Sequence, residues 1–326
     1  MDPTRTPRRP SISVVVCAYT LDRWDDLSAS IRSVQAQQAP VAELLLVVDH
    51  CPELADRART AFDGVRTVSN QERQGLSGAR NTGVVTARGE VVAFLDDDAV
   101  AEPEWSGQLL DGYRDPRVLG VGGLVLPWWE TGRPAWFPPE FDWVVGCSYR
   151  GMAQRRAPVR NFIGANMSFR RGAVLAAGGF RTDLGRVGTR PLGCEETELC
   201  LRMAARDPER ILLYEPAAVV RHHVPRARTT WAYFRSRCYA EGLSKAAVAR
   251  HAGSGPGLAS ERTYLRSTLP RALARGLRPG SGTPATTAPA VLAGAGATLL
   301  GYAEGRLRGA PRALAGAARP IGGGAT

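Results

Sequence analysis

Lysine is almost absent from this 326-residue sequence, and its cysteines lack the pairing that marks a disulfide framework or a zinc site. Lys245 is the one lysine among 42 basic residues. We attribute this arginine bias to codon composition, although arginine can also bind phosphate through paired hydrogen bonds. The six cysteines contain no C-x-x-C pair, so we interpret Cys194 and Cys200 as packing residues with reduced thiols.

The sequence also lacks an internal repeat, a low-complexity tract and, in its first ten residues (MDPTRTPRRP), the apolar stretch of a secretory signal. These absences predict a folded, cytoplasmic protein with a disordered tail at residues 1–10. Because 44% of the residues are hydrophobic, the chain can bury a large core, as one domain with an appendage or as two domains.

Acidic residues are scarce towards the C-terminus. Residues 246–326 contain ten arginines against two glutamates, which is +8 of the formal net charge of +11. The positive charge is therefore mostly a property of this tail. The tail lacks the alternating aromatic residues of a single-strand-binding platform, so we predict no nucleic-acid partner.

Apolar runs of strand length alternate with helical segments in the first hundred residues. The runs are SISVVVCA (11–18), LLLVVD (44–49), VRTVSN (65–70) and VVAFLD (91–96). Strands that are apolar throughout indicate an α/β fold with a mostly parallel sheet flanked by helices. In such sheets the ligand lies at the carboxyl ends of the strands.

After residue 115 the pattern becomes less regular. We predict strands at 118–127 and 211–224, an edge strand within 160–171 and a helix that opens within 193–207. The aromatic and proline-rich segment 127–143 is predicted to be neither helix nor regular strand.

Three carboxylates, Asp96, Asp97 and Asp98, directly follow the fourth apolar run. Because successive strand residues point to opposite sides, Asp96 and Asp98 can share a face. Two facing carboxylates repel each other, and a hard divalent cation such as Mg²⁺ or Mn²⁺ relieves the repulsion. The alternative is a solvated acidic loop or a helix cap.

A glycine-rich segment, QGLSGARNTG at 74–83, forms the start of a helix predicted at 75–89. Its glycines, the helix N-terminus and Arg80 favour a phosphate or a sugar, although glycines are also common at ordinary helix starts. The segment is not the G-x-G-x-x-G turn of dinucleotide-binding folds, because CAYTLDR follows the first strand instead.

Two later motifs each allow two interpretations. Glu195 and Glu196 open a helix, where acidic residues either complement the helix dipole or provide a general base. His222 and His223 are adjacent in a predicted strand, so at most one of them can be a third metal ligand. The alternative is an ordinary hydrogen-bonded histidine.

In this order and spacing, the motifs resemble the family 2 inverting glycosyltransferases of the GT-A fold. The matching stretches are VVCAYTLDR, Asp49, NQERQGLSGARNTG, FLDDDA, NFIGANMSFRR followed by GGF, GCEETELCLR and RHHVP. The resemblance implies a GT-A domain at residues 11–225. It also implies a UDP-, GDP- or TDP-sugar donor, a Mn²⁺ or Mg²⁺ cofactor, and transfer of a hexosyl group to an acceptor hydroxyl with inversion.

The resemblance assigns the donor-binding residues by position. Tyr19, Thr20 and Asp49 would hold the nucleotide base and ribose, and Arg80 and Asn81 match the donor-contacting segment.

The same resemblance assigns the metal ligands and the base. Asp96 and Asp98 match the Asp-x-Asp motif, with Asp98 the nearest metal ligand. Family members commonly have Glu-Asp where this chain has Glu195 and Glu196. Glu196 therefore falls at the position of the catalytic base, with a side chain one methylene longer.

Residues 226–326 are predicted to form a helical, basic C-terminal extension. Segment 229–251 is basic and bears aromatic residues, 261–278 carries leucines on one side with a break at Pro270, and 279–303 contains no charge. We expect this extension to lie on an anionic membrane, at the inner face of the plasma membrane. The alternative is packing against the catalytic domain or a second subunit.

The acceptor is expected to be a lipid-linked sugar or a growing glycan, as in the synthesis of cell-envelope polysaccharide. Aromatic side chains in the proline-rich segment either stack on the acceptor sugar or fill the core; they are Trp128, Trp129, Trp136 and Trp143. Two other functions compete with this interpretation. One is a nucleotidyltransferase, and the other is a noncatalytic module that binds sugar or nucleic acid.

Overall fold

The computed structural model describes residues 9–185, 193–252, 259–278, 282 and 284–307. These residues form one nine-stranded sheet with helices on both faces. The strands are β1 (Ile12–Ala18), β2 (Glu43–Val48), β3 (Arg66–Ser69), β4 (Val91–Asp96), β5 (Ala99–Ala101), β6 (Val118–Trp129), β7 (Ala157–Val159), β8 (Asn166–Arg170) and β9 (Ile211–Val224). Their order is β3-β2-β1-β4-β8-β6-β9-β5, and β7 pairs with β9.

The helices follow the strands closely in sequence. They are α1 (Trp24–Gln35), α2 (Pro52–Ala61), α3 (Leu76–Thr86), α4 (Trp105–Gly112), α5 (Arg171–Ala176), α6 (Glu195–Arg206), α7 (Trp231–Ala252), α8 (Ala259–Thr263), α9 (Leu269–Leu277) and α10 (Thr287–Leu307). Short 3₁₀ helices span Leu21–Arg23, Pro139–Val145 and Arg226–Thr229, and a π-helical turn at Tyr264–Thr268 joins α8 to α9.

The first half of the sheet, β3-β2-β1-β4, is entirely parallel, as the apolar runs predict. Val14 and Val16 point into one apolar core, whereas Val15 points into a second core on the opposite face. β1, β2 and β4 are mostly apolar because helices cover both faces of the sheet, whereas the edge strand β3 (RTVS) is mostly polar and partly exposed,.

The second half of the sheet is mixed. β8 runs antiparallel to both β4 and β6, β6 and β9 are parallel, and β5 and β7 are antiparallel to β9. The proline-rich segment is more regular than predicted, because β6 continues to Trp129 and a 3₁₀ helix begins at Pro139. A proline suits the first position of a helix, since it has no amide hydrogen to leave unpaired.

Strand register brings the polar residues after β1, β2 and β4 to one edge. Cys17 near the end of β1 pairs with Asp96 at the end of β4. The amide of Asp49 donates to the carbonyl of Ala18 at 2.8 Å, which extends the β1–β2 pairing by one residue. The carboxyl ends of these three strands therefore form one rim.

The C-terminal helices pack against the sheet. Phe234 of α7 contacts the rings of Phe137 and Phe141 at centroid distances of 5.3 and 5.4 Å, and Val291 of α10 lies in the same core. α7 and α10 approach closely, since a β-carbon on Gly301 would overlap the carbonyl of Tyr239. The C-terminal extension is thus helical, as predicted. The side of it that faces the sheet packs against the catalytic domain, which is one of the two predicted arrangements.

The break predicted at Pro270 coincides with the π-helical turn, and Pro270 is the second residue of α9. Within the described ranges, no helix combines the length and the apolarity required to cross a bilayer.

Candidate active site

The carboxylate triplet lies at the rim of the parallel strands. Asp96 is the last residue of β4, and Asp97 and Asp98 form the turn that leads into β5. β5 pairs with β9 so that Ala99 lies opposite His222. Asp96, Asp98 and His222 each offer one ligand atom, and these atoms all lie within 4.8 Å of one another. Topology therefore brings together two carboxylates and an imidazole.

The two adjacent histidines point to different surroundings. His222 Nε2 lies 3.0 Å from Asp98 Oδ1, whereas His223 Nδ1 lies 3.0 Å from Asp26 Oδ2. The candidate ligand His223 thus does not reach the carboxylate pair, because neighbouring strand residues face opposite ways. Of the two predicted histidines, His222 has the geometry of a ligand.

Arginines that the sequence did not single out surround Asp98. Arg228 Nη2 and Arg23 Nη1 lie 3.2 and 3.4 Å from Asp98 Oδ2. Burial raises the pKa of Asp98, but His222, Arg228 and Arg23 lower it by more, so the pKa lies well below the usual range. Asp98 therefore stays ionised at neutral pH.

Asp97 is not part of the ligand group and accepts a hydrogen bond at 3.2 Å from Arg23 Nη1, the atom that also lies 3.4 Å from Asp98 Oδ2. Burial and the neighbouring charge of Asp98 raise the pKa of Asp97 to about 7. The ligand group thus contains Asp96 and Asp98 but not Asp97, whose carboxylate instead shares Arg23 with Asp98.

The ligand group fits a divalent cation. Carboxylate oxygens are preferred ligands of Mg²⁺ and Mn²⁺, and an imidazole is compatible with the softer of the two. Oδ1 of Asp98 faces the imidazole of His222, and Oδ2 faces the guanidinium of Arg228.

Arg80 connects the Asp96 end of the site to the glutamates of α6. It is 2% exposed. Its Nη1 donates to Glu195 Oε1 at 2.7 Å, and its Nη2 donates to Asp96 Oδ1 at 3.3 Å and to the carbonyl of Gly164 at 3.2 Å. Gly78 permits the turn before Arg80, because a β-carbon there would overlap the carbonyl of Arg73.

Asn81 is not positioned like Arg80. Its Nδ2 donates to the carbonyl of Phe180 at 2.8 Å, and its Oδ1 accepts from the amide of Phe180 at 2.7 Å. The side chain of Asn81 thus binds the backbone after α5, and its role at the donor stays a prediction.

The three residues expected at the nucleotide lie along the ends of β1 and β2. Asp49 accepts from Asn70 Nδ2 at 2.6 Å and from the amide of Gly75 at 2.9 Å. Thr20 caps the first 3₁₀ helix, and Tyr19 is 43% exposed with the guanidinium of Arg23 over its ring. Their position at the carboxyl ends of the strands is as predicted, and their roles stay predictions.

A cavity of about 510 Å³ lies beside the rim, and Asp96, Arg80, Glu195 and Glu196 are among the residues that line it. Four aromatic residues, Trp143, Tyr149, Phe162 and Tyr264, also line it. Among the predicted tryptophans, Trp129 and Trp136 pack against Phe137 in the core, and Trp128 is 52% exposed. The core-filling interpretation thus fits Trp129 and Trp136, and the acceptor-stacking interpretation is compatible with Trp143, which lines the cavity.

The two glutamates of α6 have different environments. Glu195 is buried and bound to Arg80, whereas Glu196 is half-buried and accepts from Thr197 Oγ1 at 3.1 Å. Burial and the adjacent Glu195 raise the pKa of Glu196 to about 7. A carboxylate with this pKa can accept a proton efficiently near neutral pH.

Comparison with known proteins identifies the family. Residues 13–176, half of the chain, match the family model described as glycosyl transferase family 2. The chain is a family 2 glycosyltransferase. This membership favours glycosyl transfer over both the nucleotidyltransferase and the noncatalytic binding module.

Relatives of this glycosyltransferase support the assignment. It is 38% identical over 238 residues to the glucosyl-dolichyl phosphate glucuronosyltransferase of Haloferax volcanii, with 72% of this chain and 76% of the relative covered. Its fold is similar to that of the mannosyltransferase PcManGT from Pyrobaculum calidifontis in complex with GDP-Man and Mn²⁺, at a TM-score of 0.55 and 19% identity, covering 90% of this chain and 88% of that one.

A second solved structure, GalNAc-T7 with UDP, GalNAc and Mn²⁺, is similar at a TM-score of 0.52 and 19% identity. The match covers 81% of this glycosyltransferase and 55% of that chain. At these identities the two structures establish the GT-A type of fold, which confirms the predicted fold class.

Proposed function

We propose that this glycosyltransferase moves a hexosyl group from a nucleoside diphosphate sugar to an acceptor hydroxyl with inversion, and that Glu196 is the general base. The observation that carries the proposal is that Glu196, with its raised pKa, and Asp96, a member of the candidate metal group, line the same cavity.

The residues of the site divide the chemistry among them. Glu196 takes the proton of the acceptor hydroxyl as the oxygen forms its bond to the anomeric carbon. The bond from that carbon to the diphosphate oxygen breaks, and the diphosphate leaves with the electron pair. Attack from the face opposite the leaving group inverts the configuration. Arg80 holds Glu195 and Asp96 in place on either side of it.

Asp96, Asp98 and His222 would hold the divalent cation, Mn²⁺ or Mg²⁺. A bound cation of this kind offsets the negative charge of a departing diphosphate. Mn²⁺ accompanies the nucleotide ligands in both of the similar solved structures, which supports this choice of ion. Arg23 and Arg228 would add positive charge beside it.

The donor nucleotide is proposed to lie along the rim next to Tyr19, Thr20 and Asp49. UDP and GDP-Man in the similar structures support a nucleotide-sugar donor. Asp49 is suited to bind ribose hydroxyls, because one of its oxygens already accepts from a backbone amide and both are held in place.

The acceptor is proposed to be a lipid-linked sugar, with a growing envelope glycan as the alternative. The name of the Haloferax volcanii relative, which acts on a glucosyl-dolichyl phosphate, supports the lipid-linked class. Trp143, Tyr149 and Tyr264 offer aromatic faces on which a sugar ring can pack.

A peripheral position on the cytoplasmic face of the plasma membrane follows from such an acceptor. α10 exposes four leucines on one side, each by 55% to 86%, and buries Val291, Gly294 and Gly301 on the other. The leucines are Leu292, Leu299, Leu300 and Leu307. Exposed Arg278 and Arg306 lie near the two ends of this helix, and basic side chains beside an apolar stripe favour an anionic lipid surface,.

The test is a screen of UDP-, GDP- and TDP-sugars with Mn²⁺ and short-chain glucosyl phosphate acceptors. Product formation is measured by mass spectrometry and the anomeric configuration by NMR. We expect one donor class to give an inverted product, and EDTA to stop the reaction. A product that retains the donor's configuration would exclude the proposed single displacement.

A further inference from the structure

Gly193 and Cys194 form the turn directly before α6, here called the α6 turn, and its backbone conformation is unfavourable. Cys194 has φ 72° and ψ 15°, which lie in the left-handed region. A residue with a β-carbon is disfavoured there, and the residue before a helix is usually extended. The side chain of Cys194 forms no cap with α6. Such a conformation persists only where the surrounding structure holds it in place.

Two hydrogen bonds join the α6 turn to α7. The amide of Gly193 donates to Ser244 Oγ at 3.1 Å, and Cys194 Sγ donates to Glu241 Oε1 at 3.4 Å. Ser244 is 2% exposed, and its hydroxyl donates to the carbonyl of Ala240 at 2.9 Å, so the orientation of the hydroxyl is fixed. Because residues three apart share one side of a helix, the same side of α7 binds both residues of the turn.

The contact between Cys194 and Glu241 pairs a protonated thiol with an ionised carboxylate. Burial raises the pKa of the Cys194 thiol well above its usual value. Burial raises the pKa of Glu241, but Lys245, Arg237 and the thiol lower it by more, so the pKa lies below its usual value. A hydrogen bond to an ionised acceptor is stronger than one between two neutral groups.

The α6 turn sets the direction of the two glutamates that follow it. The carbonyl of Cys194 accepts a helical hydrogen bond from the amide of Glu198 at 2.9 Å. Glu195 then points to Arg80, and Glu196 lines the cavity. A different conformation of the turn would rotate the first turn of α6 and move both carboxylates.

The alternative is an ordinary packing contact between α6 and α7. Leu201 and Val248 provide such a contact, because they form a small apolar cluster with Cys194. That cluster requires neither the hydroxyl of Ser244 nor a left-handed residue. The two hydrogen bonds instead act on the backbone and the side chain directly before the proposed base.

We propose that Ser244 and Glu241 are positioning residues, which hold the α6 turn and thereby orient Glu196 towards the acceptor hydroxyl. This inference rests on the proposed role of Glu196 as the general base. It gives the C-terminal extension a part in catalysis, because α7 lies beyond the residues 13–176 that match the family model.

Hydrogen–deuterium exchange of the Gly193 amide tests the contact without turnover. In full-length protein carrying Ser244→Ala, we expect this amide to exchange at least about tenfold faster, because it has lost its acceptor. Ser28→Ala in α1 is the matched control, since Ser28 is 4% exposed and its hydroxyl also donates to the carbonyl four residues earlier, that of Trp24. An unchanged exchange rate in Ser244→Ala would overturn the inference.

Kinetics test whether the contact acts through the base. With the donor and the glucosyl phosphate acceptor that give product in the screen, Ser244→Ala should lower kcat about tenfold, while the Kd values for donor and Mn²⁺ stay within about twofold. Ser28→Ala should have no effect. In the Glu196→Gln background, Ser244→Ala should cause no further loss, because residues that act as a unit are not additive.

The contact with Glu241 is tested at Cys194. Cys194→Ala removes the donor and should lower kcat about tenfold, whereas Cys194→Ser keeps a donor and should stay within about twofold of the wild type. Equal kcat values in the two variants would contradict a positioning role for Glu241.

The outcomes distinguish this inference from the proposed function. An unchanged kcat in Ser244→Ala, or an equal loss with and without Glu196→Gln, contradicts the inference alone. An unchanged kcat in Glu196→Gln by itself contradicts the proposed function, because Glu196 is then not the base. If the wild-type protein transfers no sugar, the proposed function fails, and hydrogen exchange still shows whether α7 holds the α6 turn.

Discussion

Asp98 of the candidate metal group and Glu196 of α6 are both carboxylates but have opposite electrostatic environments. Asp98 is surrounded by His222, Arg228 and Arg23, which hold its pKa well below the usual range. Glu196 is half-buried next to another carboxylate, and its pKa is raised to about 7. The first environment suits a permanent cation ligand, and the second suits a group that exchanges protons. These environments therefore support the two proposed roles.

The largest effect is expected from removal of the charge at Asp98. Asp98→Asn should lower metal-dependent transfer by at least about a thousandfold, because a carboxamide is a poor ligand and leaves Arg228 without its partner. Activity is measured against Mn²⁺ concentration, and Mn²⁺ binding by calorimetry. Asp56→Asn on the exposed face of α2 is the matched control. If the dependence of activity on Mn²⁺ is unchanged in Asp98→Asn, Asp98 is not a metal ligand.

Glu196→Gln tests the other side. Loss of a general base is expected to lower kcat by about a hundredfold to ten-thousandfold while the donor Kd stays within about twofold. Single-turnover rates and donor binding are measured in parallel, with Glu209→Gln on the surface as the control. If donor affinity falls as strongly as kcat, Glu196 holds the donor rather than the acceptor proton.

The pH dependence sharpens the contrast further. The base acts when deprotonated, so kcat/KM should be low at acidic pH, rise through a midpoint near 7 and level off above it,. In Glu195→Gln, Glu196 loses its like-charged neighbour, and the midpoint should move to lower pH. A midpoint that stays in place or moves upward would show that Glu195 does not control the proton affinity of Glu196.

The smallest effect on catalysis is expected from substitutions at the exposed leucines of α10, because these leucines have no proposed role in the reaction. Leu299→Gln combined with Leu300→Gln should reduce binding to vesicles that contain anionic lipid about tenfold, because two exposed apolar side chains are lost from the stripe,. Constants for a water-soluble acceptor should not change. Ala285→Gln, before α10, is the control.

Vesicle flotation at low and high salt measures the binding of the protein to lipid, and light scattering measures its molecular mass. Loss of a dimer in the double variant, with vesicle binding intact, would assign the leucine stripe to a second subunit instead of a membrane.

Much of the parallel half of the fold could be predicted from local sequence. The apolar runs that form β1, β2 and β4 can be recognised without knowledge of distant residues, because helices on both faces of the sheet require most strand positions to be apolar,. The antiparallel entry of β8 between β4 and β6 had no such local signature. The regular structure of the tryptophan-rich segment was not predicted, because its pairing partner in β9 lies about a hundred residues away in the chain.

The sequence by itself determined the residue types of the site: carboxylates at strand ends, glutamates at a helix start and a histidine pair near the end of the last long strand. Only the tertiary structure decided that His222 and not His223 faces Asp98, that Asn81 binds Phe180, and that Lys245 borders the base. The physical reason is the distance along the chain over which each interaction acts. Strand alternation and helix capping act over a few residues, whereas the partners of each side chain are set by strand register and helix packing between segments that are distant in the chain.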